Sequence, residues 1–378
     1  MSTAVAHLIT PYLFLTGSWI HSQLTHNREF RPIVITQSRE NEDVFPFDPV
    51  VDLSPQRAST LGRIRFNAEK YIRGHYPTAP YEKALSEHDV RILHAHLGWE
   101  GARTIELRRP QARPLITSFY GRDATLLARH PYWKRLYRRL FGGVDRVLAE
   151  GHFMAETLRE IGAPSDRVRV VHLGVDPDAF PFREREDDGS SPIVALLSAS
   201  FREKKGIRYA IAALAKIKDA HPRLRLRIVG DGPLKQDILA QIDRLGIGDR
   251  IDLLGYQPYP VYREELEKAH FLLAPSVVAK DGDSEGGAPV CLIEAQAMGL
   301  PIVATTHCDI PEITRPDHSA FLAPERDADA LASRLDHLLE HPEKWGAMGR
   351  AGREHIETEF NIRTQVLRMN EVYREVLA

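Results

Sequence analysis

Short runs of aliphatic and β-branched residues recur along this chain at near-regular intervals, separated by amphipathic segments of helix length. In the first half they occupy residues 4–9, 32–36, 90–94, 114–118, 144–149 and 168–173. A strand with one wet face alternates apolar and polar residues. Near-continuous apolar runs of this length mark strands covered on both faces, as in a parallel sheet. Helical patterns such as 132–141 and 153–161 lie between them. Strand and helix in alternation predict a doubly wound α/β layer.

The rhythm breaks at GVDPDAFPFREREDDGSSP, residues 174–192, which is rich in proline, glycine and charge. Such a stretch reads as an interdomain linker. Alternation restarts with strands expected at 193–198, 224–229, 250–254, 271–274 and 302–305, and helices at 207–220 and 234–245. The last third reads as helices 327–340, 342–360 and 364–377. The chain has 378 residues, beyond the size at which one core usually stops growing. The expectation is therefore an N-terminal Rossmann-like domain over 1–180, a linker over 181–192 and a second Rossmann-like domain over 193–360. A closing helix, 361–378, is expected to pack back on the first domain. Two such layers should face each other across a cleft, with ligands at the carboxyl ends of the strands.

Charge narrows the partners. The 50 basic and 52 acidic residues leave a formal charge of −2, no global reason to expect nucleic acid or an anionic membrane as partner. Cys291 and Cys308 are too few for a disulfide framework or a cysteine-rich zinc site, and both are expected as small buried hydrophobes in a reducing compartment. The N-terminus is apolar, lacks a basic leader and is interrupted by Pro11, so it reads as a first core strand and not as a signal peptide. No apolar run approaches the roughly 20 residues that span a bilayer. The expected location is cytoplasmic, with peripheral contact at the inner membrane face as a further option.

The chemistry falls on strand-to-helix loops. SASFREKKG, residues 198–206, ends one expected strand and opens a helix. Such a turn offers free N–H groups and a positive dipole end to an anion, and Arg202, Lys204 and Lys205 add charge at the same place. VGDGP, residues 229–233, is a second such turn, in which Gly230 permits close backbone approach. SEGGAPVCLIEAQAMGLPIVATTHCDIPE, residues 284–312, is a glycine loop feeding a helix that begins near Pro289. Glu285 lies in the loop and Glu294 in the first two helical turns. Glu294 reads either as a partner of the helix dipole or as an acceptor for ribose hydroxyls. The amides around Gly286, Gly287, Ala288, Pro289 and Val290 could meet a phosphate.

In this order and spacing the motifs closely resemble the retaining GT-B glycosyltransferases of family 4, specifically over about 193–322 and more loosely elsewhere. The resemblance implies a nucleotide diphosphate sugar as donor (UDP- or GDP-sugar), no cofactor, no metal, and transfer with retention at the anomeric carbon. It implies that Lys205, with Arg202 nearby, neutralises the diphosphate leaving group, that Glu294 holds the ribose and that Glu285 contacts the donor sugar. Two departures stand out. The family places seven residues between its paired glutamates, whereas eight lie between Glu285 and Glu294, so either the loop bulges or amides stand in for the first carboxylate. The family's arginine after the strand falls on Ser200, leaving Arg202 as a displaced substitute.

In the N-terminal half, Thr16, Gly17 and Ser18 follow the first strand as the family's glycine loop does. His94 and His96 point the same way from one strand. With no third histidine or carboxylate near in sequence, the reading is one packed ring and a cleft-facing His96 rather than a metal pair. TSFYGRD, residues 117–123, places Tyr120 where the family commonly has histidine. A phenol can donate a hydrogen bond but does not titrate near neutrality, so the departing phosphate is expected to take the acceptor's proton. Asp123 reads as an acceptor contact or a structural group. Gly255 and Tyr256 follow a strand and could flank the base. RHPYWKRLYRR, residues 129–139, is basic with interleaved aromatics. It reads as a solvated amphipathic helix or as a site for nucleic acid or an anionic membrane surface, and if functional, membrane or a lipid-linked acceptor is preferred.

The leading expectation is sugar transfer from a nucleotide diphosphate donor to a glycan or lipid-linked acceptor. The alternatives are a nucleotide-sugar epimerase or hydrolase on the same fold, and a catalytically silent sugar-nucleotide-binding module.

Overall fold

In the computed structural model the chain divides into two compact units, Met1–Gly174 with Ile362–Ala378, and Val175–Asn361. The structure describes residues 2–15, 17–54, 59–109, 111–287 and 289–378, with the backbone alone at Arg65.

The first unit is built on strands β1 (Ala4–Leu8), β2 (Arg31–Thr36), β3 (Val50–Asp52), β4 (Val90–His96), β5 (Leu115–Phe119), β6 (Arg146–Ala149) and β7 (Val168–Val170). They form one parallel sheet in the order β3-β2-β1-β4-β5-β6-β7. Every residue of β1 and β5 is buried, the two-sided covering that their uniform apolar character requires. One face packs on helices such as Thr78–Glu87 and Pro131–Gly143, through Tyr81, Leu85, Leu136 and Leu140. The opposite face of β1, β4 and β5 receives the last helix of the chain, Ile362–Leu377, whose Val366, Met369 and Tyr373 meet Val5, Ile92 and Ile116. Asn370 accepts a 2.8 Å bond from Asn27, which ties that helix to the end of Ser18–His26.

The second unit repeats the plan with β8 (Ile193–Ser198), β9 (Leu224–Val229), β10 (Ile251–Gly255), β11 (Phe271–Ala274), β12 (Ile302–Thr305) and β13 (Ala320–Ala323). These strands are parallel in the order β10-β9-β8-β11-β12-β13. Helix Ile207–Ile217 buries Ile207, Ala210, Ile211, Leu214 and Ile217 on one face. Each large side chain so removed from water contributes about 1.5–3 kcal/mol before entropy is counted. Trp345 is completely enclosed, and its indole N–H donates to the Leu338 carbonyl at 2.8 Å.

The unit boundary falls at Val175, so residues 181–192, read in the sequence as a linker, belong to the second unit. Arg185 is buried there and donates to the carbonyls of Glu267 and Met298, while Asp187 pairs with Arg223. Strands β3 and β13 were not expected. Each is very short and lies at a sheet edge, and the three residues of β3 are only half-buried, so neither carries a long apolar run. The expected helix 342–360 is a 3₁₀ turn, Pro342–Lys344, followed by the helix Trp345–Glu359. Cys291 and Cys308 are half-buried instead of enclosed.

In each sheet the strand order reverses once, beside β1 in the first unit and beside β8 in the second. At such a point the loops leaving two adjacent strands go to opposite faces, and the gap between them is where α/β folds place ligands.

Candidate active site

In the second unit the reversal lies between β8 and β11, and the loops leaving those strands carry the charged motifs. After β8 the chain makes a 3₁₀ turn, Glu203–Lys205, then passes through Gly206 at φ 62° into the helix Ile207–Ile217. A Cβ on Gly206 would lie 1.7 Å from the Pro275 carbonyl oxygen, so the turn seats directly on the end of β11. Val277 N–H donates to the Lys204 carbonyl at 2.8 Å and completes that junction.

The two lysines turn toward the loop after β11. Lys205 Nζ sits 2.8 and 2.9 Å from the two oxygens of Glu285. Lys204 Nζ bonds the Ser284 carbonyl at 2.9 Å and Asp283 at 3.3 Å. Ser276 donates to Glu285 at 3.0 Å. Burial pulls the Lys205 ammonium down, but Glu285, together with Cys291 and Asp283, holds it above its ordinary pKa. Burial would likewise raise Glu285, yet Lys205 and then Lys204 pull it below the usual carboxylate range. The pair is charged in both members. Lys205 is 19% exposed and Glu285 only 7%, so the cation is the member within reach of solvent.

The extra residue between the two glutamates does not carry Glu285 away from Lys205. Gly286 takes φ 81°, and its N–H donates to Ser284 Oγ. The Glu285 N–H donates to His307 Nε2 at 3.2 Å, and His307 is backed by Glu325. Gly287 is buried and its carbonyl receives the Asp309 N–H, while Ala288 lies outside the described residues. Pro289 is the N-cap of the helix Val290–Ala297, with Val290 its first residue.

Glu294 lies on that helix and is 5% exposed. Tyr259 donates to its Oε1 at 3.0 Å and Tyr262 to its Oε2 at 2.7 Å. Burial pushes the carboxyl up to about 7, against the pull of the two phenols. Arg202 is exposed at the N-cap of the Glu203–Lys205 turn.

Gly230 has a supporting place. Its φ is 142°, and a Cβ there would fall 1.9 Å from the Ala199 carbonyl oxygen. The loop after β9 thus lies flat against the turn bearing Lys205, joined by Phe201 N–H to the Asp231 carbonyl at 2.9 Å. Gly255 ends β10 at φ 69° and accepts from the Gly230 N–H, and Tyr256 after it is 55% exposed.

In the first unit, Gly17 is the N-cap of Ser18–His26 and packs on Leu13; Thr16 lies outside the described residues. His96 is not open to solvent but fully buried, and a third histidine joins it. The parallel register of β1 against β4 pairs His7 with His94, so His7, His94 and His96 form one cluster. His7 Nδ1 and His96 Nε2 are 2.9 Å apart, His96 Nδ1 meets Tyr120 Oη at 2.7 Å, and His94 bonds Tyr373 and Ser118. Of these ring nitrogens only His7 Nε2 has no hydrogen-bond partner, so an ion would have to displace bonds already made. Burial keeps the rings neutral, pushing His94 down to about 3. The third histidine was missed because 87 positions separate His7 from His94 and only strand pairing joins them.

Tyr120 is half-buried beside a small recess lined by Gln23, Ser118 and Glu150. Asp123 is fully buried and accepts the Gly98 N–H at 2.8 Å and the Tyr120 N–H at 3.1 Å. The basic segment 129–139 contributes most of the helix Pro131–Gly143. Its Leu136 and Tyr137 face the core, Arg139 is spent on the carbonyls of Arg73, Gly74 and Ala102, and Lys134, Arg135 and Arg138 remain exposed. The adjoining helix Thr60–Ala68 and π-turn Glu69–Arg73 expose Leu61, Ile64, Tyr71 and Ile72, a feature the sequence reading overlooked.

Two doubly wound parallel units of seven and six strands, the second with a cationic turn at its reversal point, have the architecture of GT-B glycosyltransferases. Anabaena Alr3699/HepE in complex with UDP matches over 99% of this chain and 100% of its own, with a TM-score of 0.78 at 16% identity. A sucrose-phosphate synthase from Thermosynechococcus elongatus matches with a TM-score of 0.77 over 100% of this chain and 99% of its own, at 16% identity. At such identities the likeness is one of fold. Sequence carries the relation further. The "Glycosyl transferases group 1" family profile matches residues 180–355, and "Glycosyltransferase Family 4" matches 23–179. The putative colanic acid biosynthesis glycosyltransferase WcaL of Salmonella typhimurium is 33% identical over 274 residues, 71% of this chain and 67% of that protein. The amylovoran biosynthesis glycosyltransferase AmsK of Erwinia amylovora is 34% identical over 71% of this chain and 66% of its own length.

The chain belongs to the group 1 glycosyltransferases, and its relatives work in polysaccharide and glycolipid synthesis.

Proposed function

We propose that this protein transfers a hexose from a nucleotide diphosphate sugar, UDP- or GDP-linked, to a glycan or lipid-linked acceptor, with retention of configuration and without a metal. The observation that carries the reading is the charged Lys205, held by Glu285 at the reversal point of the second sheet, where Lys204 and the glycine loop converge. A diphosphate placed there meets a fixed ammonium. As the bond from the anomeric carbon to the phosphate oxygen breaks, the ammonium offsets the charge that develops on the leaving group. The acceptor hydroxyl forms the new bond to the same carbon, and its proton passes to the departing phosphate. Alr3699/HepE crystallised with UDP supports a nucleotide of this kind.

Thermal melting with UDP-, GDP- and ADP-sugars tests the donor. A selective ligand at about 100 times its Kd stabilises the native state by about 2.7 kcal/mol. If none of the three raises the melting temperature, the reading fails. NMR of the product decides retention, and an inverted anomer removes that part. Nucleotide release at full rate without acceptor would instead point to a hydrolase.

Peripheral membrane contact has one specific support. Leu61, Ile64, Tyr71 and Ile72 are 61–78% exposed next to Arg63, Lys70 and Arg73, and the neighbouring helix adds Lys134, Arg135 and Arg138. Exposed apolar side chains among cations match an anionic bilayer surface. Among the described residues no helix is long and apolar enough to cross a membrane. The protein should sediment with vesicles containing anionic lipid and much less with neutral ones, and charge reversal of Lys134, Arg135 and Arg138 should reduce binding about tenfold or more. Equal sedimentation with both lipids, or with neither, removes the assignment.

A further inference from the structure

Glu294 is a buried carboxylate whose two oxygens are each occupied by a phenol. The sequence places both phenols on one short element, the helix Tyr259–Lys268. Residues three apart on a helix share a face, so Tyr259 and Tyr262 reach the same target. Tyr262 is 7% exposed and Tyr259 38%, with ring centroids 5.9 Å apart. Each carboxylate oxygen accepts about two hydrogen bonds. One phenol per oxygen leaves one acceptor position on each. Two hydroxyls on adjacent carbons match that pair of positions, whereas a sugar lacking one of them leaves a buried acceptor unpaired.

We propose that Tyr259 and Tyr262 are positioning residues that aim Glu294 at the vicinal hydroxyls of the donor's ribose, so that discrimination of ribose from 2′-deoxyribose depends on them. The inference rests on the donor-site reading above. Tyr262 is the fixed member, because it is enclosed. Tyr259, at the first turn of its helix, is the adjustable one. Arg263 and Cys291 are the other titratable groups felt at this carboxyl. Burial raises Glu294 to about 7 and the two phenols lower it. The anionic form accepts both ribose hydroxyls, so affinity rises as pH climbs through about 7. Removing a phenol raises the carboxyl further and moves that rise to higher pH.

The test uses the full chain with Tyr262→Phe and Tyr259→Phe, and titration calorimetry with UDP, GDP and their 2′-deoxy counterparts from about pH 6 to pH 9. Tyr262→Phe should weaken the preferred ribonucleotide about tenfold near neutral pH, leave the deoxy form nearly unchanged, and shift the pH midpoint upward. Tyr259→Phe should do the same to a smaller extent. Melting curves confirm that both variants are folded. An unchanged ribose-to-deoxyribose ratio and midpoint in Tyr262→Phe overturns the proposal, as does an equal loss for both sugars, which marks a merely structural phenol. If the native protein binds neither UDP nor GDP, the donor-site reading fails first and this proposal with it.

Discussion

Lys205→Ala should lower sugar transfer about 10³-fold, equivalent to ~4 kcal/mol of transition-state stabilisation, while the protein still folds. The size follows from where the charge sits. Lys205 is a charged ammonium on a turn locked by Gly206 against Pro275, so its backbone is held in place before a ligand binds. Stability should suffer less. The variant leaves Glu285 with Ser276 at 3.0 Å and Lys204 at 3.9 Å, so the carboxylate keeps partners and the loss should be about 1–3 kcal/mol. Lys205→Arg keeps the charge but not the compact ammonium, and should recover part of the rate. Steady-state transfer measured beside a thermal melt separates the two effects. Turnover within about threefold of the native enzyme in Lys205→Ala would falsify the assignment of this site to the leaving group.

Gly230→Ala should destabilise the second unit by roughly 3–5 kcal/mol, lowering its melting temperature by about 10 °C. Two costs add. The backbone there has φ 142°, which side-chain-bearing residues rarely adopt, and the new Cβ would press on the Ala199 carbonyl at 1.9 Å. The obstacle is main chain, so no rotamer change relieves it. Because Ala199 and Phe201 belong to the turn that leads to Lys205, nucleotide affinity should fall as well. Gly248→Ala is the control within the same unit: its nearest neighbour would be Ile242 Cγ2 at 3.9 Å, and its melt should stay close to native. A Gly230→Ala variant that melts with the native protein would show that the two loops do not press together as described.

How much could be read in advance varied with the distance over which each feature is encoded. Strands β1, β8 and β11 were legible because a strand buried on both faces writes its environment into consecutive residues. The edge strands β3 and β13 were not, since a short segment at a sheet edge borrows its conformation from one neighbour. The motif around Lys205 and the two glutamates was legible as a set of strand-to-helix loops. The residue added between Glu285 and Glu294 left the fate of Glu285 open, and only the coordinates show the carboxylate on Lys205, with Gly286 at positive φ beside it. Asp123 could be read as a ligand contact or as a structural group, and only the fold shows the Gly98 and Tyr120 amides on its two oxygens.

By itself, then, the sequence determined the α/β class, two parallel layers and the loops that carry cationic and acidic groups, because each of these is a local pattern of hydrophobicity, glycine and charge. Tertiary structure alone decided which of those groups meet. His7 joins His94 through strand register, Lys205 meets Glu285 because the sheet reverses between β8 and β11, and Tyr259 and Tyr262 reach Glu294 from a helix some thirty residues earlier in the chain. Contacts of that kind are set by packing and hydrogen-bond geometry among distant segments, which no run of neighbouring residues records.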